Sequence, residues 1–392
     1  MNMRFIAILL LTVVTIDLSA QTNDKKFPVL ELKGTPYERG LEHGKQLKNE
    51  IAAIFKKWKD NMRSNDPDSL IRDFLAATNF EPITKRYTPF ILDEIKGIAE
   101  GSGQTYTDVF AFQLLDELWV YQDAKRNDPR HHCSGMGVAA MNSRPAYIAQ
   151  NMDVENYMQG GQVLLHILAT KNEPEQYIVS CAGLVALNGM NAEGIGMCMN
   201  TVMELQGSTD GLPVAFIVRG LLRQKNGKDA VNFLHTVKHA SGQNYIIGIV
   251  DSVYDFEASS GKLVRYIPAG GDGKLVYHTN HALANDDIKP WYKKVFERNI
   301  AGLNPNDNSV IRQASLQERL GKQTAVITPD IIKTTLRSKD NPYNPVCRSY
   351  REGGFGFTFS SILFTLSGKR SVQLTYGSPD QSEFAEYFFT SK

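Results

Sequence analysis

Asn127-Asp128-Pro129-Arg130-His131-His132-Cys133-Ser134-Gly135-Met136-Gly137-Val138 divides the chain into a first third and a remainder of different character. The first six residues are polar and turn-prone, and after Cys133 the sequence breaks into short β-favouring runs. Working back from the divide, helical periodicity over 51–62, 69–77, 90–99 and 107–120 makes residues 34 to about 122 mainly helical. The first helix opens at Gly34-Thr35-Pro36-Tyr37-Glu38, with Thr35 as N-cap, Pro36 at the first helical position and Glu38 completing a capping box. Gly40 and Gly44 share one face of that helix and allow close approach of another element. A short strand is expected over 27–32.

Working forward, strands are expected over 135–141, 146–150, 163–169, 177–180 and 194–199, then helices over 213–224 and 228–238. Strands at 245–251, 253–257, 264–267 and 276–279 follow, with Gly270-Gly271-Asp272-Gly273 as a hairpin turn. Helices over 291–299, 309–320 and 329–336 precede final strands at 360–365, 371–376 and 383–389. No internal repeat is present. This order predicts an α+β fold of two antiparallel sheets with helices outside.

The composition is that of a globular protein, with 42% hydrophobic and 22% charged residues in 392. Basic and acidic residues number 43 and 42, so nothing favours nucleic acid, and a small molecule is the default partner. Residues 1–20 have the layout of a signal peptide: Arg4, an apolar run over 5–16, and a cut after Ala20. Twelve apolar residues are too few for a hydrocarbon core of roughly 30 Å, so no stable membrane insertion is expected. The protein is therefore read as exported, periplasmic or secreted. Cys133, Cys181, Cys198 and Cys347 permit two disulfides and match no zinc or redox spacing. A cysteine kept reduced outside the cytoplasm needs a reason, and catalysis is one.

Four positions could carry chemistry. Cys133, between a turn and a first strand, is placed for exposure as a thiolate nucleophile. Asp153 lies near the end of the next strand, where antiparallel pairing would return it to Cys133. In His278-Thr279-Asn280-His281 two histidines invite a metal, but no third ligand is in sight; the Asn280 amide could instead donate to an oxyanion. Arg348, in a polar loop, could hold Asp153 or a substrate carboxylate. Taken singly, each has a plainer reading: a buried thiol, a turn residue, a packed loop, a solvated cation.

Their order is more specific. GTPYERGLEHG at 34–44, CSGMGV with QNMDV within 133–154, YHTNHAL at 277–283 and NPVCRSYREGG at 344–354 resemble the penicillin acyltransferase family, the acyl-coenzyme A:aminopenicillanic acid acyltransferase branch of the N-terminal nucleophile hydrolases. The resemblance runs from about residue 28 to near the C-terminus. It implies a four-layer αββα sandwich with a mainly helical N-terminal segment. It also implies a precursor that cuts itself between His132 and Cys133, giving a small subunit, 21–132, and a large one, 133–392, that stay associated as one globular domain. Cys133 would then be the nucleophile and its freed α-amino group the base, with Asp153 and Arg348 orienting the centre, Asn280 holding the oxyanion, and no cofactor. An α-amine titrates near pH 8, close enough to neutrality to accept a proton.

The implied reaction is cleavage of a small N-acyl amide through a thioester. Export favours water over a coenzyme A partner as acyl acceptor, without excluding acyl transfer. One departure stands out: the residue before the nucleophile is usually small, whereas here it is His132. Competing readings are an uncleaved cysteine hydrolase acting on esters or lipids, a catalytically silent secreted binding protein, and a Cys133 tied up in a disulfide.

Overall fold

The computed structural model describes residues 26–62, 64–123, 133–290, 292, 307–323 and 326–390. The apolar leader, His132 and, apart from Tyr292, the helix expected over 291–299 lie outside the described residues.

β1 (Val29–Leu32) leads into α1 (Pro36–Gln46), whose start carries the expected capping box: Thr35 accepts from the Glu38 N–H, and Glu38 accepts from the Thr35 N–H. Then come α2 (Lys48–Asn61), α3 (Pro67–Ala76), α4 (Phe80–Tyr87) and α5 (Pro89–Ser102). The close approach expected at Gly40 and Gly44 is made by α5. A Cβ on Gly40 or Gly44 would collide with backbone of α5, and one on Gly97 or Gly101 would collide with backbone of α1. The stretch expected as one helix over 107–120 is two, α6 (Tyr106–Phe112) and α7 (Leu115–Asp123). The break falls at Gln113, whose buried side chain donates to Gly183 O and accepts from the Val185 N–H. Those tertiary bonds leave no trace in helical periodicity.

The remaining strands are β2 (Ser134–Val138), β3 (Tyr147–Glu155), β4 (Gln162–Ile167), β5 (Gln176–Cys181), β6 (Asn188–Asn191), β7 (Gly196–Thr201), β8 (Gln243–Gly248), β9 (Val253–Ala258), β10 (Leu263–Arg265), β11 (Leu275–His278), β12 (Gly356–Thr365), β13 (Ser371–Leu374) and β14 (Ala385–Phe388). They form two sheets, ordered β1-β4-β5-β6-β7-β8-β9-β10 and β11-β2-β3-β12-β13-β14. β2 and β3 face β7 and β8 across the interior. Helix α8 (Val214–Leu222), followed by α9 (Gly227–Thr236), covers β6 and β7 from outside. Helices α10 (Asn308–Leu316) and α11 (Pro329–Leu336) cover β11, β3 and β12. The result is a four-layer αββα sandwich.

Two expectations need correction. The first sheet is not wholly antiparallel, because β1 pairs parallel with β4, Val29 opposite Leu164. Nor is Gly270–Gly273 a hairpin turn: β10 belongs to the first sheet and β11 to the second, so this stretch crosses between sheets. Gly270 and Gly273 do have positive φ, 75° and 82°, but a glycine turn does not specify which strand pairs next. The strand at 188–191 was not expected either; Asn188 and Asn191 mask its β character.

A buried ionic cluster joins the two halves. Arg219 on α8 grips Glu94 on α5 through two bonds of 2.6 and 2.8 Å, and Arg39 on α1 lies 3.1 Å from Glu173. Burial opposes ionisation of Glu94, yet the Arg219 and Arg39 charges hold its carboxyl below the usual range. Gly97→Ala, which drives a Cβ into α1 backbone, is expected to cost about 1–3 kcal/mol or more. Thermal melts beside the exposed Lys45→Ala check this; equal midpoints would contradict the helix contact.

Candidate active site

Cys133 immediately precedes β2, and the pairing of β2 with β3 sets Ser134 opposite Asn151. The thiol therefore meets Met152 and Asp153. Sγ lies 3.7 Å from Met152 Sδ, accepts from the Asp153 N–H at 3.4 Å and reaches Asp153 O at 3.5 Å. Burial and then the Asp153 charge push the thiol up to about 12, against the Asp153 N–H and the Arg312 charge. All four cysteines are buried free thiols, so Cys133 is in no disulfide.

On the other side β11 pairs with β2, His278 opposite Gly135. Asn280 comes two residues after His278, as Cys133 comes two before Gly135, so the chain direction returns Asn280 to the nucleophile. Arg312 on α10 ties the two together. Its Nη1 donates to Cys133 O at 2.5 Å and to Ser134 Oγ at 2.9 Å, and its Nη2 donates to Asn280 Oδ1 at 2.9 Å. Asn280 Nδ2 gives one hydrogen to Thr201 O at 3.0 Å. An amide nitrogen has two, so one remains for a substrate oxygen.

The loop carrying Asn280 is braced from beneath. Glu257 on β9 accepts from His278 Nε2 at 2.8 Å and from the N–H groups of Leu283, Ala284 and Asn285 at 2.6–3.0 Å. The other His278 nitrogen meets Thr279 O at 2.9 Å, so both are occupied by protein. His281 Nδ1 is held by Ser309 Oγ at 2.7 Å, and burial, then the His278 and Arg312 charges, lower its pKa to about 3. Neither imidazole is bonded to Cys133.

Asp153 is 6% exposed. Its Oδ1 accepts from Thr358 Oγ1 at 2.7 Å, while Oδ2 has no hydrogen-bond partner among the described residues. Burial pushes the carboxyl up to about 7, against the Arg348 charge, the Thr358 hydroxyl and the Arg312 charge. Thr358 also fixes Arg348 at the backbone, through Arg348 N–H to Thr358 Oγ1 at 3.0 Å and Thr358 N–H to Arg348 O at 2.8 Å. A register shift in β12 between Thr358 and Ser360 lies opposite Asp153 and Met152, as bulges often do beside sites. Arg348 thus acts on Asp153 through its charge; no ion pair joins them within 4.0 Å among the described residues, and Arg348 Nη1 is buried without a partner.

The structure therefore gathers Cys133, Asp153 and Asn280 directly, and Arg348 at one remove. Arg312 and Thr358 were not foreseen. Arg312 had a legible signal: it lies on the face of α10 shared by Ser309 and Leu316, a cation where the helix faces the core. Thr358 had none, since its role depends on the register of β12.

A cavity of about 160 Å³ opens beside Cys133. Trp58, Trp119, Met158, Leu184, Leu187 and Phe355 form much of its apolar wall, with Met152 and Asp153 next to the thiol.

Residues 140–381 match the family model described as acyl-coenzyme A:6-aminopenicillanic acid acyl-transferase, and the chain belongs to that family. The matched span takes in Asp153, Asn280, Arg312 and Arg348 and begins just after Cys133. Among individual proteins, the chain is 24% identical over 349 residues to the acyl-coenzyme A:6-aminopenicillanic-acid-acyltransferase 40 kDa form of Emericella nidulans, covering 87% of this chain and 90% of that protein. It is 34% identical over 113 residues to protein dcd1A of Dictyostelium discoideum, covering 24% of this chain and 26% of that one. Solved structures with some likeness include a Caenorhabditis elegans ortholog of N-acylethanolamine-hydrolyzing acid amidase (TM-score 0.42, 14% identity, 66% of this chain and 100% of that one). Another is penicillin V acylase from Agrobacterium tumefaciens (TM-score 0.39, 13% identity, 66% and 86%).

The brace under Asn280 makes a pH prediction. Burial disfavours charge on His278, but the Asp255 and Glu257 carboxylates raise it from 6.5 to about 9. A cation whose folded pKa is raised stabilises fully below its unfolded pKa and loses that contribution as pH rises through the folded one. The stability difference between wild type and His278→Gln should therefore shrink between pH 7 and 10, by on the order of 3 kcal/mol. Chemical denaturation across that range measures it; a constant or widening difference would contradict the charged pair.

Proposed function

We propose that the protein is an exported, self-processing N-terminal-cysteine amidohydrolase that cleaves a small, apolar N-acyl amide through a thioester on Cys133. One observation carries the reading: Cys133 lies on the wall of an apolar cavity at the head of β2, beside Asp153, whose buried Oδ2 lacks a hydrogen-bond partner among the described residues. That oxygen suits an ammonium or amine hydrogen, the group that appears at residue 133 if the bond to His132 is cut. Export rests on the leader at 1–20.

In self-processing, Cys133 Sγ attacks the His132 carbonyl carbon and the 132–133 amide nitrogen takes a proton as it leaves. Water then hydrolyses the resulting thioester, freeing an acid at 132 and the thiol and α-amine of Cys133. In turnover the α-amine takes the thiol proton, Sγ adds to the substrate carbonyl, and the oxyanion accepts the spare Asn280 Nδ2 hydrogen. The α-ammonium then protonates the departing amine. Water, deprotonated by the α-amine, attacks the thioester and releases the carboxylic acid, and the thiol recovers its proton.

Burial and the nearby Arg312 and Arg348 charges favour a neutral α-amine, which is the form a base needs. Among the described residues, no imidazole is bonded to Cys133 to do this work instead. The ionic cluster of Arg39, Glu94, Glu173 and Arg219, and the pairing of β1 with β4, would hold the two fragments together after cleavage.

An acyl chloromethyl ketone with an apolar chain should label wild type at one site, found on Cys133 by peptide mapping, and leave Cys133→Ala unlabelled. Equal labelling of both proteins would refute the assignment. Asn280→Ala should lower kcat by about 10²–10³ with little change in KM; a change confined to KM would remove Asn280 from the oxyanion role.

A further inference from the structure

Two charged groups in the cavity, Asp116 and Glu155, are not used by this mechanism. Asp116 on α7 lines the wall beside Leu115, Leu118 and Trp119. Its Oδ2 accepts from Thr201 Oγ1 at 2.6 Å and from Gln243 Nε2 at 2.8 Å. Both donors are neutral, so they fix the carboxylate without cancelling its charge. Thr201 also offers its carbonyl to Asn280 Nδ2, which puts Asp116 one residue away from the oxyanion donor.

The neighbouring acids point the same way. Glu117 is buried, and burial and then the Asp116 charge push its carboxyl up to about 7. The charged side chains that line the cavity among the described residues, Asp116, Asp153 and Glu155, are all acidic. Asp153 adds the buried oxygen without a hydrogen-bond partner. An apolar wall with fixed negative charge near the reacting carbonyl is complementary to a molecule with an apolar end and a cationic end.

We infer that Asp116 selects the amine half of the substrate: an amide whose amine part carries a second, protonated amino group close to the scissile nitrogen. A carboxylate at that place would meet Asp116 and be rejected. This rests on the amidohydrolase reading and adds to it the placement of the leaving half on the α7 side, where Asp116 stands one residue from the oxyanion donor Asn280. Asp116 lies in the segment before the cleavage point, so the small fragment would help to choose the substrate of the nucleophile carried by the large one.

The test uses the mature full-length protein and three dodecanoyl amides with the same acyl group. Their amine parts are ethylenediamine, propylamine and β-alanine, ending in an ammonium, a methyl group and a carboxylate. kcat/KM should fall in that order, with at least about a tenfold gap between the first and last, equivalent to about 1.4 kcal/mol. Asp116→Asn, which can keep both accepted hydrogen bonds, should shrink the ammonium-to-carboxylate ratio by about tenfold, and Asp116→Glu should preserve it. Equal or better turnover of the β-alanine amide, or an unchanged ratio in Asp116→Asn, would overturn the inference. If none of the three is hydrolysed, the amidohydrolase reading fails instead. Calorimetric binding of dodecylammonium against dodecanoate then still reads the pocket: tighter binding of the cation, lost in Asp116→Asn, supports the inference, and tighter binding of the anion overturns it.

Discussion

The antiparallel pairing of β2 with β3 is the constraint on which the rest depends. With Ser134 opposite Asn151, the Cys133 thiol meets the backbone of Asp153. A slip of one residue would turn alternate side chains to the other face of the sheet and take the thiol away from that backbone. The flanking strands extend the same logic. In the order β11-β2-β3-β12, Asn280 follows the end of β11, Cys133 precedes β2, Asp153 lies near the end of β3, and Arg348 precedes β12. All four therefore reach one end of one sheet, though they are spread over more than half the chain. The side chain of Asn151 reinforces this by donating to Leu336 O and Val346 O, which anchors the loop leading to Arg348.

Burial sets the electrostatics of that end. The thiol alone is a poor nucleophile there, because desolvation and the Asp153 charge both disfavour the thiolate. Arg312 works in the opposite direction and also holds Cys133 O, Ser134 and Asn280 in one grip. Burial lowers its own pKa to about 10, while the Asp153 charge acts to keep it a cation. Under the proposed processing, a base on the nucleophilic residue itself would answer the need, and among the described residues His278 is already engaged by Glu257 and Thr279.

Much of this was legible in the sequence, for reasons that can be named. The capping box at Thr35–Glu38 and the glycine face of α1 are local signals and formed as read. Cys133 and Asp153 were placed together by strand direction alone. The interior was not legible in the same way. Gln113 breaks a helix by bonding to Gly183 and Val185, and β1 joins β4 in parallel across more than a hundred residues. Arg312 read as part of a helix, and Thr358 fell before the strand expected over 360–365. Their importance comes from register and tertiary contact, which residue spacing cannot report.

The central claim is that residue 133 becomes a chain end, and N-terminal sequencing of the catalytically active protein, with intact-mass analysis, tests it most directly. The account predicts two polypeptides in equal amount, one beginning at Cys133 and the other ending at His132. A fully active sample that remains a single polypeptide, with no sequence starting at Cys133, would contradict it.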